Sequence, residues 1–320
     1  MKRLHWSVCV AVIGMSLCSA MAAAQEAWPA RPIRMVVAYP PGGNSDAVAR
    51  LVAERLGARL QASIFVENKG GASGQIASEQ VSRAAPDGYT LLFGTSSSFT
   101  LQPHLKKSPF VLNDFTVLGG VADYVPVMGV RETLHITTIE QFIAYAKAHP
   151  GMSYGSSGIG TASHLAGEQL ARVSGATMLH VPYKGSAEAL TALSAGQIDF
   201  LVDGTIANAV QGGLIRPIAT FSRHRHAQLP ELPTVYESGL AIQLPSGPLW
   251  MMAAPKGLAR AASDRISNAL QSVLIDPLIQ TQLARVSATA NWVAPADLIN
   301  QLDQDNAFFA RLTQELGIAM

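Results

Sequence analysis

The sequence predicts an α/β architecture of two similar lobes facing each other across a cleft, on three observations. Short apolar runs alternate with helical stretches at the spacing of βα units. The loops that end the apolar runs are rich in Gly, Ser and Thr in both halves of the chain. The length, 320 residues, leads to an expectation of two domains.

The leading stretch stands apart. Lys2 and Arg3 make a positive start, 7–20 is largely apolar, and Ala22-Ala23-Ala24 offers small residues for cleavage before Gln25. Residues 1–24 therefore read as a secretory signal peptide, too short for a membrane span and followed by polar chain. Both cysteines, Cys9 and Cys18, fall inside it, and Leu17 is too bulky for an ordinary lipoprotein cleavage site before Cys18. The expectation is a soluble exported protein, periplasmic in a Gram-negative source, with neither disulfide nor thiolate chemistry. Of the 23 Lys and Arg, Lys2 and Arg3 belong to this leader, which leaves 21 against 22 Asp and Glu. That balance predicts neither nucleic acid nor an anionic membrane as a partner. No later run reaches the ~18 apolar residues of a membrane helix.

The apolar run 33–37 reads as a buried strand and 47–60 as a helix with Val48, Leu51, Val52, Leu56 and Leu60 on one face. Between them lies Tyr39-Pro40-Pro41-Gly42-Gly43-Asn44-Ser45-Asp46. The glycines let a ligand approach the main chain, and Asn44, Ser45 or Asp46 can cap the helix. Unpaired N–H groups at such a helix start suit an anion. No Lys follows the glycines, so this is not a nucleotide P-loop, and a carboxylate fits better. A strand over 62–67, a helix over 75–85 stopped by Pro86-Asp87-Gly88, and a strand over 89–94 ending in Thr95-Ser96-Ser97-Ser98 complete a mainly parallel sheet.

The run 121–130 reads as a strand passing to the second lobe. There Thr138 and Gln141 form a capping-box pattern ahead of a helix over 139–148. A strand at 152–155 leads into Ser156-Ser157-Gly158-Ile159-Gly160-Thr161-Ala162-Ser163-His164 and a helix over 165–174. Strands at 178–181 and 197–202 flank a helix at 187–195, the second strand closing in Asp203-Gly204-Thr205. The strand 216–221 is expected to carry the chain back. A short helix beyond Pro233, a strand at 249–253 and helices at 261–274, 277–285 and from 295 onward then pack on the first lobe. The expected lobes are 25–124 with 222–320, and 125–221. Ligands of open α/β sheets sit beyond the carboxyl ends of the strands, and two such edges facing each other make a hinged cleft.

Several segments resemble one family in order. They include Trp28-Pro29-Ala30-Arg31-Pro32, Tyr39-Pro40-Pro41-Gly42-Gly43 with Asp46, and Val66-Glu67-Asn68. Ala85-Pro86-Asp87-Gly88-Tyr89-Thr90-Leu91-Leu92, Gly160-Thr161 with Ser163-His164-Leu165, and His180-Val181-Pro182-Tyr183-Lys184-Gly185-Ser186 continue the series, with Leu232-Pro233-Thr234-Val235 behind. The chain resembles the Bug-type extracytoplasmic solute receptors of tripartite tricarboxylate transporters across essentially all of 28–320. The resemblance implies a type II periplasmic-binding-protein-like fold. It also implies a monomer that captures a small organic carboxylate and passes it to membrane permease subunits, with no cofactor. Family members hold one carboxylate through backbone amides, hydroxyls and waters, and the loops here hold hydroxyls and glycines with almost no cations. Departures fall at Gln102-Pro103, where Asn-Pro is commoner, at 107–112, at Lys69-Gly70, and at 244–250; they leave the ligand's distal half open.

The candidate ligand-binding residues are Tyr39, Gly42, Gly43, Ser45, Asp46, Thr95, Ser96 and Ser97 from the first lobe. Ser156, Ser157, Gly160, Thr161, Ser163, His164 and Asp203 come from the second. Asp46 beside an anion would repel it, which favours a cap or a water holder over direct contact. Asp203 equally suits pinning a backbone N–H, and Phe99 and Trp250 suit a distal pocket or the core. Gly158-Ile159-Gly160 lacks the third glycine of a dinucleotide loop. His224 and His226 lack a third metal ligand nearby. Two other functions fit less well: presentation of the ligand to a membrane sensor kinase, and an exported serine hydrolase, for which no Gly-x-Ser-x-Gly elbow occurs.

Overall fold

The computed structural model describes residues 28–243 and 249–318. The signal-peptide reading of 1–24, Cys9 and Cys18, and the part of the last departure at 244–248 lie outside the described residues.

The first sheet is built from β1 (Ile33–Val37), β2 (Ile64–Asn68), β3 (Thr90–Thr95), β4 (Phe115–Tyr124), β10 (Leu249–Pro255) and β11 (Ala288–Val293), in the order β11-β4-β10-β3-β1-β2. The second holds β5 (Val127–Arg131), β6 (Met152–Ser156), β7 (Met178–Pro182), β8 (Phe200–Asp203) and β9 (Ile215–Thr220), in the order β7-β6-β8-β5-β9. Each sheet is mixed rather than mainly parallel. β1 runs parallel to β2 and β3, whereas β10 is antiparallel to β3 and β4. β6 runs parallel to β7 and β8, whereas β5 is antiparallel to β8 and β9. β11 is antiparallel to β4 as well, so β10 and β11 run against the rest of the first sheet and β5 against the rest of the second.

Helices cover both faces of the first sheet. α1 (Asn44–Leu60), α6 (Arg260–Leu274) and α7 (Pro277–Ala284) share one apolar core with Met35, Phe93 and Leu118. On the other face, α2 (Gln75–Ser82) and α8 (Pro295–Leu316) pack over Val36, Leu92 and Met251. In the second lobe, α3 (Ile139–Ala148) and α4 (Ala162–Ser174) cover Tyr154, Phe200 and Val202, and α5 (Ser186–Ser194) covers Leu201 and Ile198. A smaller cluster joins the lobes, with Leu101, Leu105, Phe309 and Leu312 meeting Leu165 of α4.

Local chemistry explains most boundaries. α3 matches its expected span because Thr138 Oγ1 accepts the Gln141 N–H at 3.3 Å. The Gln141 amide reaches one residue further back than a standard box, accepting the Thr137 N–H at 2.8 Å. α1 starts three residues before its expected start because Gly43, not Asn44, Ser45 or Asp46, occupies the cap, with no side-chain bond. The expected single strand at 121–130 divides at Val125-Pro126 into β4 and β5, one in each sheet.

No helix forms just after Pro233; Thr234 instead bridges to Thr220, and turns follow. Val235 and Ile242 then enter the second core, as do Leu229 and Leu232. Residues expected in the first lobe therefore pack on the second as far as 242. The strand β11, absent from the sequence reading, pairs with the outer side of β4.

Gly167 on α4 lies against Tyr154, a side chain with 1% exposure, and a Cβ there would overlap its ring. A Gly167→Ala substitution gains about 1 kcal/mol of helix propensity but must displace a packed aromatic. Urea unfolding should show it less stable by about 1–3 kcal/mol; an equal or higher midpoint would contradict this packing.

Candidate functional site

Three helix starts meet at one gap. α1 begins behind Gly43 and α5 behind Gly185, both extended and neither helped by a side-chain cap. α4 begins behind Thr161, whose hydroxyl accepts the His164 N–H at 3.5 Å. The first N–H groups of a helix have no intrahelical acceptor, and they lie at the positive end of its dipole. Asn44 and Ser45, Ala162 and Ser163, and Ser186, Ala187 and Glu188 line a cleft of about 330 Å³. Tyr39, Pro40, Pro41, Gly43, Thr95, Ser97, Tyr124, Ser157, Thr161, Gly185 and Trp250 complete it. None of these is Lys or Arg. Glu188 is the charged lining residue, and its carboxylate accepts the Lys184 N–H at 3.2 Å.

Hydroxyls supply the rest of the polar wall. Tyr39 Oη lies 3.4 Å from Thr95 Oγ1, which lies 3.0 Å from Ser97 Oγ. Burial raises the Tyr39 phenol above its ordinary value, so it stays protonated at neutral pH. In the second lobe, Ser163 Oγ accepts the Ser157 N–H at 3.0 Å and lies 3.0 Å from Thr161 Oγ1.

Tyr124, at the end of β4, connects the lobes. Its hydroxyl accepts the Gly204 N–H at 2.6 Å. Its ring meets Trp250 edge-on at 5.2 Å, and Trp250 Nε1 donates to Ser45 Oγ at 2.9 Å. Burial first, and then the charge of Asp203, raise this phenol well above its ordinary value. At the lip, Gln102 Nε2 donates to the carbonyls of Ile159 and Gly160 at 2.7 and 2.8 Å, and Ser73 Oγ donates to Ile159 O at 2.6 Å. The lobes therefore touch on both sides of the gap.

Tyr39, Gly43, Ser45, Thr95, Ser97, Ser157, Thr161 and Ser163, all expected from sequence, line this cleft. The other expected residues stand behind it. Asp46 accepts bonds from Gly42 N–H, Arg50 Nε and Asn68 Nδ2 at 3.1, 3.0 and 2.9 Å. Burial raises the Asp46 carboxyl, but the bonds from Arg50, Gly42 and Asn68 outweigh it and hold it below the usual range. The Gly42 N–H is thereby taken, and its φ of +86° explains the glycine.

Asp203 is fully buried and accepts the Thr205 N–H, the Thr205 hydroxyl and the Ser186 hydroxyl at 2.9, 2.8 and 2.8 Å. Gly160 donates its N–H to His164 Nδ1 at 3.1 Å, and the His164 ring stacks on His180 at 4.1 Å. Ser156 Oγ lies 2.6 Å from His180 Nε2, but Ser156 has no exposed surface, so this serine–histidine pair cannot reach a substrate. Ser96 faces a neighbouring cavity. Phe99 packs edge-on to Phe110 and Phe115 at 5.6 and 5.3 Å, in the core.

Sequence reasoning left out Asn44, Tyr124 and the start of α5 as binding residues. The signal for α5 was present, since Gly185-Ser186 repeats the small-residue entry of the other two helices. Tyr124 sits in a strand and carried none.

Comparison with known proteins settles the family. The model of the tripartite tricarboxylate transporter family receptor matches residues 48–317. The chain belongs to this receptor family. Protein BugT of Bordetella pertussis is 32% identical over 278 residues, 82% of this chain and 84% of that one. An uncharacterised-family (UPF0065) protein from the tcbD-tcbE intergenic region of Pseudomonas sp. strain P51 is 30% identical over 95% of this chain and 91% of its own. Among solved structures, the periplasmic binding protein BugD superposes with a TM-score of 0.86 at 34% identity, over 91% of this chain and 99% of BugD. MatC from Rhodopseudomonas palustris, with bound malate, gives 0.82 at 25% identity, over 89% and 99% of the two chains. The receptor is thus a two-lobed solute-binding protein whose family loops form the gap described above.

On and beside α4, the receptor holds a partly buried network of Tyr154, His164, Glu168 and His180. Glu168 accepts the Tyr154 hydroxyl at 2.5 Å and faces His164 Nε2 at 3.5 Å, while Tyr154 stacks on His180 at 4.9 Å. Burial, and then the neighbouring His164, lower His180 to about 4, with Glu168 opposing. Between the ordinary 6.5 and about 4, the unfolded chain binds a proton that the folded one refuses, so acidification favours unfolding. Stability should fall on the order of 2 kcal/mol from pH 7 to pH 4.5, discounted for partial exposure. Urea unfolding at both pH values should show a shallower loss in His180→Gln; an identical loss would remove His180 as the cause.

Proposed function

We propose that this receptor captures a small organic acid in the periplasm, with one carboxylate at the three helix starts. It then delivers the acid to the permease subunits of a tripartite tricarboxylate-type transporter. The observation that carries this reading is the convergence of α1, α4 and α5 on a cleft lined by no Lys or Arg. Each partly buried helix end favours an anion by up to ~2 kcal/mol, and three together replace a cation. A volume of about 330 Å³ lies at the small end for ligand pockets. Relatives with adipate, at 28% identity, and with malate, at 25%, support the class of ligand. The binding residues in this reading are the eight expected ones that line the cleft, with Asn44, Ser186 and Ala187 added. Its second lobe runs from 125 to about 243, given the packing of Val235 and Ile242. It acts as a carrier and not as an enzyme.

Thermal-shift titration with succinate, malate, adipate, citrate and benzoate, each beside its neutral amide, tests this. An acid at 100 times its dissociation constant should add about 2.7 kcal/mol of stability, and its amide much less. Gly43 has φ −90°, open to any residue, and a Cβ there would sit 3.6 Å from Ser186 Cβ across the gap. Gly43→Val should therefore fold normally, yet lose the shift as its methyl groups fill the space between α1 and α5. Amides matching acids, or an undiminished shift in the variant, would refute the placement.

A further inference from the structure

Beyond Tyr124 lies a second cavity, of about 370 Å³, larger than the cleft itself. It shares only Ser97, Tyr124 and Ala162 with the cleft among its lining residues. Leu101 and Phe309 of the first lobe and Leu165 of the second give it apolar walls, and Val125 and Pro126, which link β4 to β5, form part of its surface.

Two polar features of this cavity have no use in the carboxylate cleft. Asp123 lines it half-buried, accepting a single hydrogen bond, from Asn291 Nδ2 at 2.8 Å. No cation stands beside that carboxyl among the described residues, and burial raises it above the usual range, only partly offset by Asn291. Arg223 also lines the cavity. Its guanidinium sits 5.4 Å from the Tyr236 ring and pairs with no carboxylate among the described residues, unlike Arg225, which is 2.9 Å from Glu237.

We propose that this cavity is a second small-molecule site, for an amine-bearing organic acid with an apolar body. The ammonium group pairs with Asp123, the carboxylate with Arg223, and the side chain lies against Leu101, Leu165 and Phe309. A simple acid would place its charge in the same cavity as the unpaired Asp123, whereas a zwitterion offers that carboxyl an ammonium and the exposed Arg223 a carboxylate. Because the walls come from both lobes and from the Val125-Pro126 link between them, an occupant bears on the hinge. By linkage, it and the cleft's ligand must then alter each other's affinity by the same factor.

Isothermal titration with L-leucine and L-phenylalanine tests the assignment on the full chain, with 4-methylpentanoate and isoamylamine as single-charge controls. At least one of the two amino acids should bind, and in the Gly43→Val background, where the cleft is filled, the two controls should not. Asp123→Asn, which keeps shape and the neighbour Asn291, and the surface variant Arg223→Gln should each weaken binding by about tenfold or more. Gly43→Val should leave it unchanged. Absence of binding at about 10 mM, ten times the concentration that a millimolar site requires, overturns the proposal. Binding lost in Gly43→Val but kept in both cavity variants also overturns it, since the amino acid then occupies the cleft.

Discussion

Everything in this receptor is arranged around main-chain N–H groups that cannot be satisfied within their own helices. A single helix start offers a weak and easily screened attraction. Three of them aimed at one gap make a positive region without any side chain that could swing away. Such a site is fixed by the backbone, so its selectivity depends on where Gly43, Thr161 and Gly185 lie, and the acids behind the loops serve that end. Asp46 ties the Gly42 N–H to Arg50 and Asn68, and Asp203 pins Ser186 against Thr205. Both keep their charge away from the cleft lining and hold the loops that form it.

Periodicity made the elements legible, and the loops that follow them pointed at the gap. The failures have local causes. Gly42 and Gly43 read alike as letters, but a carboxylate four residues downstream takes one N–H and leaves the other glycine to face the cleft. Asp203 and His164 occupy motif positions, yet their hydrogen bonds are spent on their own lobe. β11 escaped notice because Thr289-Ala290-Asn291-Trp292 is half-polar and only partly buried, with no apolar run to mark it. The mixed direction of the sheets was hidden too. Strand direction is set by how the chain returns to a sheet through its connections, a long-range property that no window of residues carries.

The departures from the family pattern also acquire a physical role. Gln102 stands where a shorter asparagine is common, and its added methylene lets the amide reach two carbonyls of the opposite lobe. Ser73, on the loop behind Asn68-Lys69-Gly70, reaches one of the same carbonyls. Neither residue touches the cleft. Both act on the distance between lobes, and hence on how large a ligand can be enclosed.

That distance is balanced by small terms. The bonds from Gln102, Ser73 and Tyr124 are each worth about 0.5–1.5 kcal/mol net, because water replaces them when the lobes part. The Leu165 contact with Leu101 and Phe309 adds apolar burial of limited extent. Closure held by a few kcal/mol is within reach of a single bound anion, which shifts the equilibrium only by its preference for the closed form. Geometry then sets that preference. A Cβ on Gly185 would come 3.1 Å from Pro40 Cδ, so the two loops meet almost backbone to side chain with no spare room. A head group that needed the lobes further apart would forfeit the lip bonds and the Tyr124 bond together, and the penalty would exceed what extra contacts could return. In the proposed reading, size selection at the carboxylate end therefore follows from the closeness of Pro40 and Gly185, ahead of any hydrogen bond to the rest of the ligand.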